Sequence, residues 1–355
     1  MGSNSFGKIF TVTTWGESHG RAIGVVIDGC PSGIAISEDE IRQELLKRAP
    51  GRSAYTSCRR ETEQVEILSG VFQGITTGAP ICLQIANQDG NSSFYQGLEQ
   101  VLRPGHASFT YWKKYRNFDP RGGGRSSGRE TACRVAAGCI AKKILSKQGV
   151  ECSAFLQKVG DITVSEIDKK HLEKSAIFCP DPHKEEEIKS MILTLKEKKD
   201  SVGAVVYFEA RGVPVGWGDP VYEKLEANLA KAMLSIPASK GFEIGEGFSS
   251  CSMQGSLHND LFSIEQEEIV IKTNHAGGIL GGISTGMPIY GRVAFKPTST
   301  ILQPVESVTT SKQRVKFCFA PDARHDPCVG IRAVVVVEAM LALVLVDAFL
   351  LSLSN

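Results

Sequence analysis

No single sign of charge dominates this sequence: 40 Lys and Arg face 39 Asp and Glu in 355 residues, leaving +1. That balance excludes a polycation built to coat nucleic acid and an acidic disordered tail. The ten cysteines, Cys30, Cys58, Cys82, Cys133, Cys139, Cys152, Cys179, Cys251, Cys318 and Cys328, form no C-x-x-C pair. The zinc and thioredoxin spacings are therefore absent, and reduced, mostly buried thiols in a cytoplasmic protein are expected. No basic stretch followed by an apolar run opens the chain, so no secretory signal is expected. No Pro/Ser-rich linker divides the chain, and no short repeat uses its 36 glycines, which excludes collagen-like and low-complexity classes. Long apolar runs are also missing, with one exception. Ala333 to Leu351 approaches the ~20 residues of a membrane span, but Glu338 and Asp347 interrupt it. Each acid would cost a few kcal/mol at mid-membrane, so a buried core helix is expected and no membrane partner.

What is present suits a large mixed core, since 42% of residues are hydrophobic. Strands are expected at Ile9 to Thr13, Gly24 to Ile27, Val65 to Val71, Pro80 to Ile85, Gly203 to Ala210, Val270 to Thr273 and Ile289 to Phe295. Ser37-Glu38-Asp39-Glu40 is a capping box opening a helix with Ile41 and Leu45 on one face. Glu130 to Lys147 reads as a helix with Gly149 beyond its end, and Lys184 to Lys199 as a charged, exposed one. Asp219-Pro220 is expected to cap a helix carrying Leu225, Leu229 and Met233. Neighbouring strand runs without a strict βαβα rhythm favour an α+β fold over a Rossmann sheet, in a single domain spanning residues 1–355.

Four loops carry chemistry. Gly16-Glu17-Ser18-His19-Gly20 joins two strands and sets a hydroxyl beside an imidazole, a proton source near neutral pH. Arg103 to Arg129 holds seven cations against the single acid Asp119, a local excess of six, together with His106 and the run Gly122 to Arg129. Glycines ahead of a helix N-terminus suit a phosphate, although Arg129-Glu130 stands where a Walker A motif needs Lys-Ser/Thr. Phe109, Tyr111, Trp112, Tyr115 and Phe118 interleave with these cations, and Arg121-Gly122-Gly123 has the form of an RGG element. RNA binding through residues 103–129 is accordingly the alternative function. Asn274 to Ser284 and the turn Lys296 to Thr300 could let backbone meet a flat ligand. Arg324-His325-Asp326-Pro327-Cys328 puts a cation, an imidazole and a carboxylate together before the apolar segment, a proton-handling group or a helix cap.

Together these segments resemble the chorismate synthase family. The likeness rests on Gly16 to Gly20 running to Asp28-Gly29-Cys30-Pro31, on Gly124 to Thr131 running to Ala137-Gly138, and on Arg324 to Cys328 running to Glu338-Ala339-Met340. Arg103-Pro104-Gly105-His106, His275 to Gly278 and the lysine–proline turn extend it over nearly the whole chain.

The resemblance implies a lyase that converts 5-enolpyruvylshikimate 3-phosphate to chorismate and phosphate by anti-1,4-elimination, the last common step of the shikimate pathway. It implies reduced FMN as cofactor, without net redox change. By position, His19 would protonate the departing phosphate, and His106 would stabilise the charge state of the reduced flavin. Asp326 would serve the proton relay, with Ser18 and Ser127 in the same network. Arg48, Arg103 and Arg129 fall at substrate positions. Arg125, Ser126, Ser127, Pro237, Ala238, Gly281, Lys296, Pro297, Thr298, Ser299, Thr300 and Arg324 fall at FMN positions. Ala54 stands where many relatives have arginine, leaving Arg52 as the nearby candidate replacement. The implied fold is a single-domain α+β sandwich of two antiparallel sheets around central helices, assembled as a homotetramer. Some relatives reduce their own flavin with NADPH; the chain length suits those that rely on an external reductase.

Overall fold

The computed structural model describes residues 2–57, 59, 61–88, 99–319 and 325–353. The alternation read at Gly24 to Ile27 builds a longer strand, Ala22–Asp28, which buries Ile23, Val25 and Ile27 completely. Its neighbour Thr11–Gly16 runs past the expected end at Thr13, so Trp15 lies in the strand and not in the following loop. The reason sits across the pair. A Cβ at Gly24 would stand 2.2 Å from Trp15 Cζ2, so the glycine makes room for the indole and the pairing continues.

These strands belong to a five-stranded sheet in the spatial order Ser5–Phe6, Thr11–Gly16, Ala22–Asp28, Ile81–Ala86, Val65–Ser69. A second sheet has the order Ile162–Thr163, Glu151–Val159, Ala204–Arg211, Ile289–Phe295, Ser239–Ile244. Every pairing in both is antiparallel, and smaller antiparallel pairs accompany them. The expected run Val65 to Val71 is broken at Gly70, which has φ +81° and whose Cβ would meet Ile81 Cα at 2.7 Å.

Helix Thr131–Ser146 packs against the first sheet, helix Gly330–Ser352 packs against the second, and the two helices pack on each other. Their approach depends on Gly138, where a Cβ would come within 2.6 Å of Ala339 Cβ. Gly138→Val therefore forces the helices apart. It should destabilise the protein by at least about 2 kcal/mol through overpacking, read as a lower denaturation midpoint at unchanged slope. The apolar C-terminal run is a 23-residue helix long enough to cross a membrane, and 78% of its most apolar window is buried within the protein. Both acids that interrupt it are partnered: Glu338 pairs with Lys142 at 2.6 Å, and Asp347 accepts the backbone N–H groups of Lys8, Ile9 and Phe10.

The capping box closes as read: Ser37 and Glu40 bond reciprocally, and Ile41 and Leu45 are fully buried on helix Glu38–Arg48. Two helix expectations change, and one helix was not expected. The helix bearing Leu225 starts at Leu225 after the short turn Val221–Glu223, so Asp219-Pro220 does not cap it. The charged helix starts earlier, at Pro182 on the buried cap Asp181, and is not wholly exposed: Glu185, Ile188 and Ile192 face inward. The basic aromatic stretch contains an unforeseen helix, Ser108–Tyr115.

Candidate active site

A cavity of about 1280 Å³ opens where the turn after Thr11–Gly16, the 105–130 segment, the end of helix Glu38–Arg48 and residues 296–300 converge. That exceeds the ~300–1,000 Å³ usual for one small ligand, which leaves room for two. Among the described residues eight cations and four carboxylates line it, so the balance of the whole chain is broken here in favour of anions.

The glycine run Gly122-Gly123-Gly124 meets the cavity at Gly122 and then turns inward, with φ of 59°, 94° and 54°. These left-handed angles suit glycine, but space is the sharper constraint. A Cβ at Gly122 would lie 2.6 Å from His19 Nε2 and 2.5 Å from Ser18 Oγ. One at Gly123 would lie 3.0 Å from His106 Nε2. Bare backbone thus runs between two imidazoles from segments 87 residues apart. Arg125 locks the first of these segments from behind, donating to the carbonyls of Thr14 and Gly16 at 2.6 and 3.3 Å.

His106 receives the backbone N–H of Ser108 at Nδ1, 3.1 Å away, and Arg103 Nη2 lies 2.9 Å from its Nε2. Both ring nitrogens therefore face donors. A neutral imidazole carries a hydrogen on one of them, so one contact stays mismatched until an acceptor enters. Burial first, then the charges of Arg103 and Lys296, push the imidazole down to about 3 from its ordinary 6.5. The ring is neutral and prepared for an anion.

Arg48 and Arg129, both buried, share one carboxylate. Arg129 Nη1 bonds both oxygens of Glu63 at 2.8 and 2.7 Å, and Arg48 Nη2 bonds Oε1 at 2.9 Å. Burial works to raise the Glu63 carboxyl, but the two guanidiniums hold it below its ordinary range. Burial in turn lowers Arg48 to about 10, against the raising effect of Glu63. Glu63 sits at φ +49°, a left-handed conformation that costs a non-glycine residue about 1 kcal/mol or more.

Asp326 is held from two sides: Ser57 N–H donates to Oδ1 at 2.8 Å and Arg332 Nη1 to Oδ2 at 2.6 Å. It lies three residues before the cap residue Val329 and makes no helix cap. Its neighbour His325 contacts the carbonyl of Asp200 through Nε2 at 3.0 Å. On the facing wall, Lys296 N–H donates to Ala238 O at 2.9 Å, and Lys296 Nζ reaches Gly105 O at 3.2 Å. Residues 237–238, 296–300 and 105–106 are thereby tied together. Thr298 Oγ1 and Arg48 Nε are buried without a hydrogen-bond partner among the described residues, and both residues line the cavity. Orphaned buried polar atoms, glycine backbone and a cationic lining fit a polar anionic cofactor, as an FMN phosphate and ring would be.

His19, His106, Ser127, Asp326, Arg48, Arg125, Arg129, Ser126, Pro237, Ala238, Lys296, Thr298, Ser299 and Thr300 all line the cavity. Ser18 lies behind the lining beside Gly122, its Oγ 3.5 Å from Arg121 O, and Arg103 braces His106. Pro297 and Gly281 are not in the lining; Gly281 is exposed at the turn of the hairpin 279–284. Arg324 lies outside the described residues. The glycines of 274–284 let backbone meet backbone: a Cβ at Gly277 would stand 2.4 Å from Gly245 N. Arg52 turns away, donating to Lys47 O and Ser175 O and stacking on Phe178, so it does not replace the arginine missing at Ala54. Arg59 lines the cavity instead, paired with Glu61.

The local excess over Arg103–Arg129 is mostly spent elsewhere. Arg121 pairs with Asp119 at the surface, Lys113 lies over Trp112, and Lys114 lies over Tyr115. Of the seven cations, Arg125 and Arg129 line the cavity. Among the described residues Arg59, Arg134, Lys231 and Arg332 complete the cationic lining and were not foreseen. Only Arg332 carried a signal, as the one cation of the apolar helix.

A model of the family described as chorismate synthase matches residues 10–350. A chorismate synthase of Protochlamydia amoebophila (strain UWE25) is 57% identical over 362 residues, covering 99% of this chain and 98% of the relative. One of Porphyromonas gingivalis (strain ATCC BAA-308 / W83) is 50% identical over 358 residues, covering 99% and 97%. A crystal structure of chorismate synthase superposes with a TM-score of 0.78 at 32% identity, covering 99% of this chain and 94% of that one.

Proposed function

Because the chain belongs to the chorismate synthase family of carbon–oxygen lyases, we propose that this cavity is its active site and holds 5-enolpyruvylshikimate 3-phosphate beside reduced FMN. The family reaction breaks one ring C–H and one C–O bond, forms a second ring double bond and releases phosphate. When bound, reduced FMN supplies electron density that assists phosphate departure, with no net redox change.

The observation that carries this reading is the pair His19 and His106 on either side of bare glycine backbone in a cationic cavity. Arg48 and Arg129, together with Arg103, hold anionic groups of the substrate. His19 gives a proton to the leaving phosphate oxygen. His106, neutral beforehand, meets the negative charge of the cofactor and stabilises it. Asp326, oriented by Ser57 and Arg332, accepts the proton leaving the ring through the relay that includes Ser18 and Ser127. Arg125, Ser126, residues 237–238, Lys296 and residues 298–300 hold the cofactor, and Gly281 and Pro297 join them in the assembled protein.

We read residues 1–355 as one domain, with the central helices between the two sheets, because one apolar cluster takes in both sheets and both helices. The exposed Phe248, Phe262, Ile264 and Ile269 suit burial in a homotetramer. A cytoplasmic setting and an external flavin reductase complete the reading. No observation favours RNA: the aromatic–cation stretch forms a helix whose Tyr111 and Tyr115 line the cavity.

The direct test is anaerobic incubation of the protein with the enolpyruvyl substrate and photoreduced FMN. Stoichiometric phosphate release is expected, stopping when oxidised flavin replaces reduced. Absence of release under reducing conditions removes the assignment.

A further inference from the structure

Glu63 belongs to no motif singled out in the sequence and does not line the cavity, yet both buried arginines of the anion wall bond to it. Its side chain is completely buried, as are those of Arg48 and Arg129 to within 2%. Other donors of the two arginines are engaged as well, while Arg48 Nε has no partner among the described residues. Arg48 Nη1 lies 3.3 Å from Gly128 O and 3.4 Å from Thr131 Oγ1, and Arg129 Nε donates to Asn87 Oδ1 at 3.0 Å. Glu61, bonded to Arg59, stands 3.9 Å from Arg129. The group formed by Arg48, Arg59, Arg129, Glu61 and Glu63 therefore carries one net positive charge.

We propose that Glu63 is a positioning residue that also acts as a resident competing anion, so that the Arg48–Arg129 pair binds an anionic substrate group without trapping the phosphate it releases. The inference rests on the proposed reading of these arginines as the anion wall. The chemistry is a charge balance. Two desolvated guanidiniums facing one small dianion would bind it tightly and slow its departure. A carboxylate bridging both halves that excess and fixes the planes of their forks, so an anion is held by geometry as much as by charge. The left-handed backbone at Glu63 is consistent with a side chain held in place by its partners, not by local preference.

The test uses inorganic phosphate as probe, by titration calorimetry on the FMN-loaded protein and as an inhibitor of turnover. Glu63→Gln keeps the size but removes the charge. It should tighten phosphate binding at least about tenfold, the effect of one unit charge at hydrogen-bond range in a partly screened site, and lower kcat/KM. Glu63→Asp keeps the charge and loosens the forks; it should lower kcat while phosphate affinity stays within about twofold of the parent. A folded Glu63→Gln protein whose phosphate affinity is unchanged or weaker overturns the proposal, as does equal tightening in both variants. If Glu63→Gln does not fold, Arg129→Gln decides. Leaving Glu63 to neutralise Arg48 alone, it should weaken phosphate at least about tenfold, and unchanged affinity overturns the proposal. Failure of the parent to release phosphate from its substrate would strike the functional reading instead, a separate outcome.

Discussion

Replacing His106 with alanine lowers turnover by at least ~10², and His19→Ala does the same, with far-ultraviolet dichroism and thermal midpoint close to the parent. Neither side chain is part of the main apolar core, so the fold survives their truncation. Normal turnover in either variant would remove that residue from the mechanism. His106 adds a signature that a bystander would lack. In the free protein its imidazole lies well below 6.5, at about 3, so between these values the unfolded chain binds a proton that the folded one refuses. Stability is then level above about 6.5 and falls as the pH drops toward 3, and His106→Ala flattens part of that slope. An anion seated against the ring offsets Arg103 and Lys296 and raises its affinity for a proton. Proton uptake on ligand binding should therefore appear in calorimetry across buffers of different ionisation enthalpy and be absent in His106→Ala.

The second large effect concerns stability. Lys142 stands between Glu338 and Glu44 at 2.6 and 2.5 Å, joining the C-terminal helix, Thr131–Ser146 and Glu38–Arg48. Burial acts to lower the ammonium, but the two carboxylates outweigh it and raise it. Lys142→Met leaves those carboxylates facing each other in a partly buried place, a loss of about 3 kcal/mol near neutral pH. The sign of the pH dependence distinguishes this from lost packing. In the parent the Glu44 carboxyl is lowered, burial opposing and Lys142, with Lys47 second, prevailing, so its stabilisation is present above about 4.5 and is lost as pH falls. In the variant Glu44 loses the lowering due to Lys142, and acid relieves the repulsion. The gap between the two proteins should narrow from pH 7 to 4 in urea titrations; a constant gap would assign the effect to packing alone.

How much of this was legible in the sequence depended on how far apart the interacting residues lie. Ile289–Phe295 was read to the residue, and the capping box at Ser37 needs only a partner three positions on. The Asp219-Pro220 cap failed because a short turn could follow that dipeptide as well as a helix. Helix Ser108–Tyr115 went unread because its aromatics and lysines suggested a ligand surface before they suggested a period. At the site, the glycines and histidines were found, since their spacing is local. The use made of each cation was not. Arg129 meets Glu63 across 66 positions and Arg332 serves Asp326 through a bend in the chain, and neither pairing leaves a local pattern. Counting charge within one segment took in Lys113, Lys114 and Arg121, which stack on or pair with neighbours, and passed over Arg59, Arg134, Lys231 and Arg332, which line the cavity.

The helix Gly330–Ser352 is translated after every element it packs against, yet it supplies much of the common interior, and its Asp347 secures the backbone at residues 8–10. A nascent chain on the ribosome thus carries a second sheet, and an outer side of helix Thr131–Ser146, that still lack their cover. Local hairpins can form early, but the cooperative step must wait until this helix is released, and it closes contacts more than 330 positions apart. Until then that apolar surface is open to self-association, a hazard that falls on biogenesis and leaves the finished enzyme untouched.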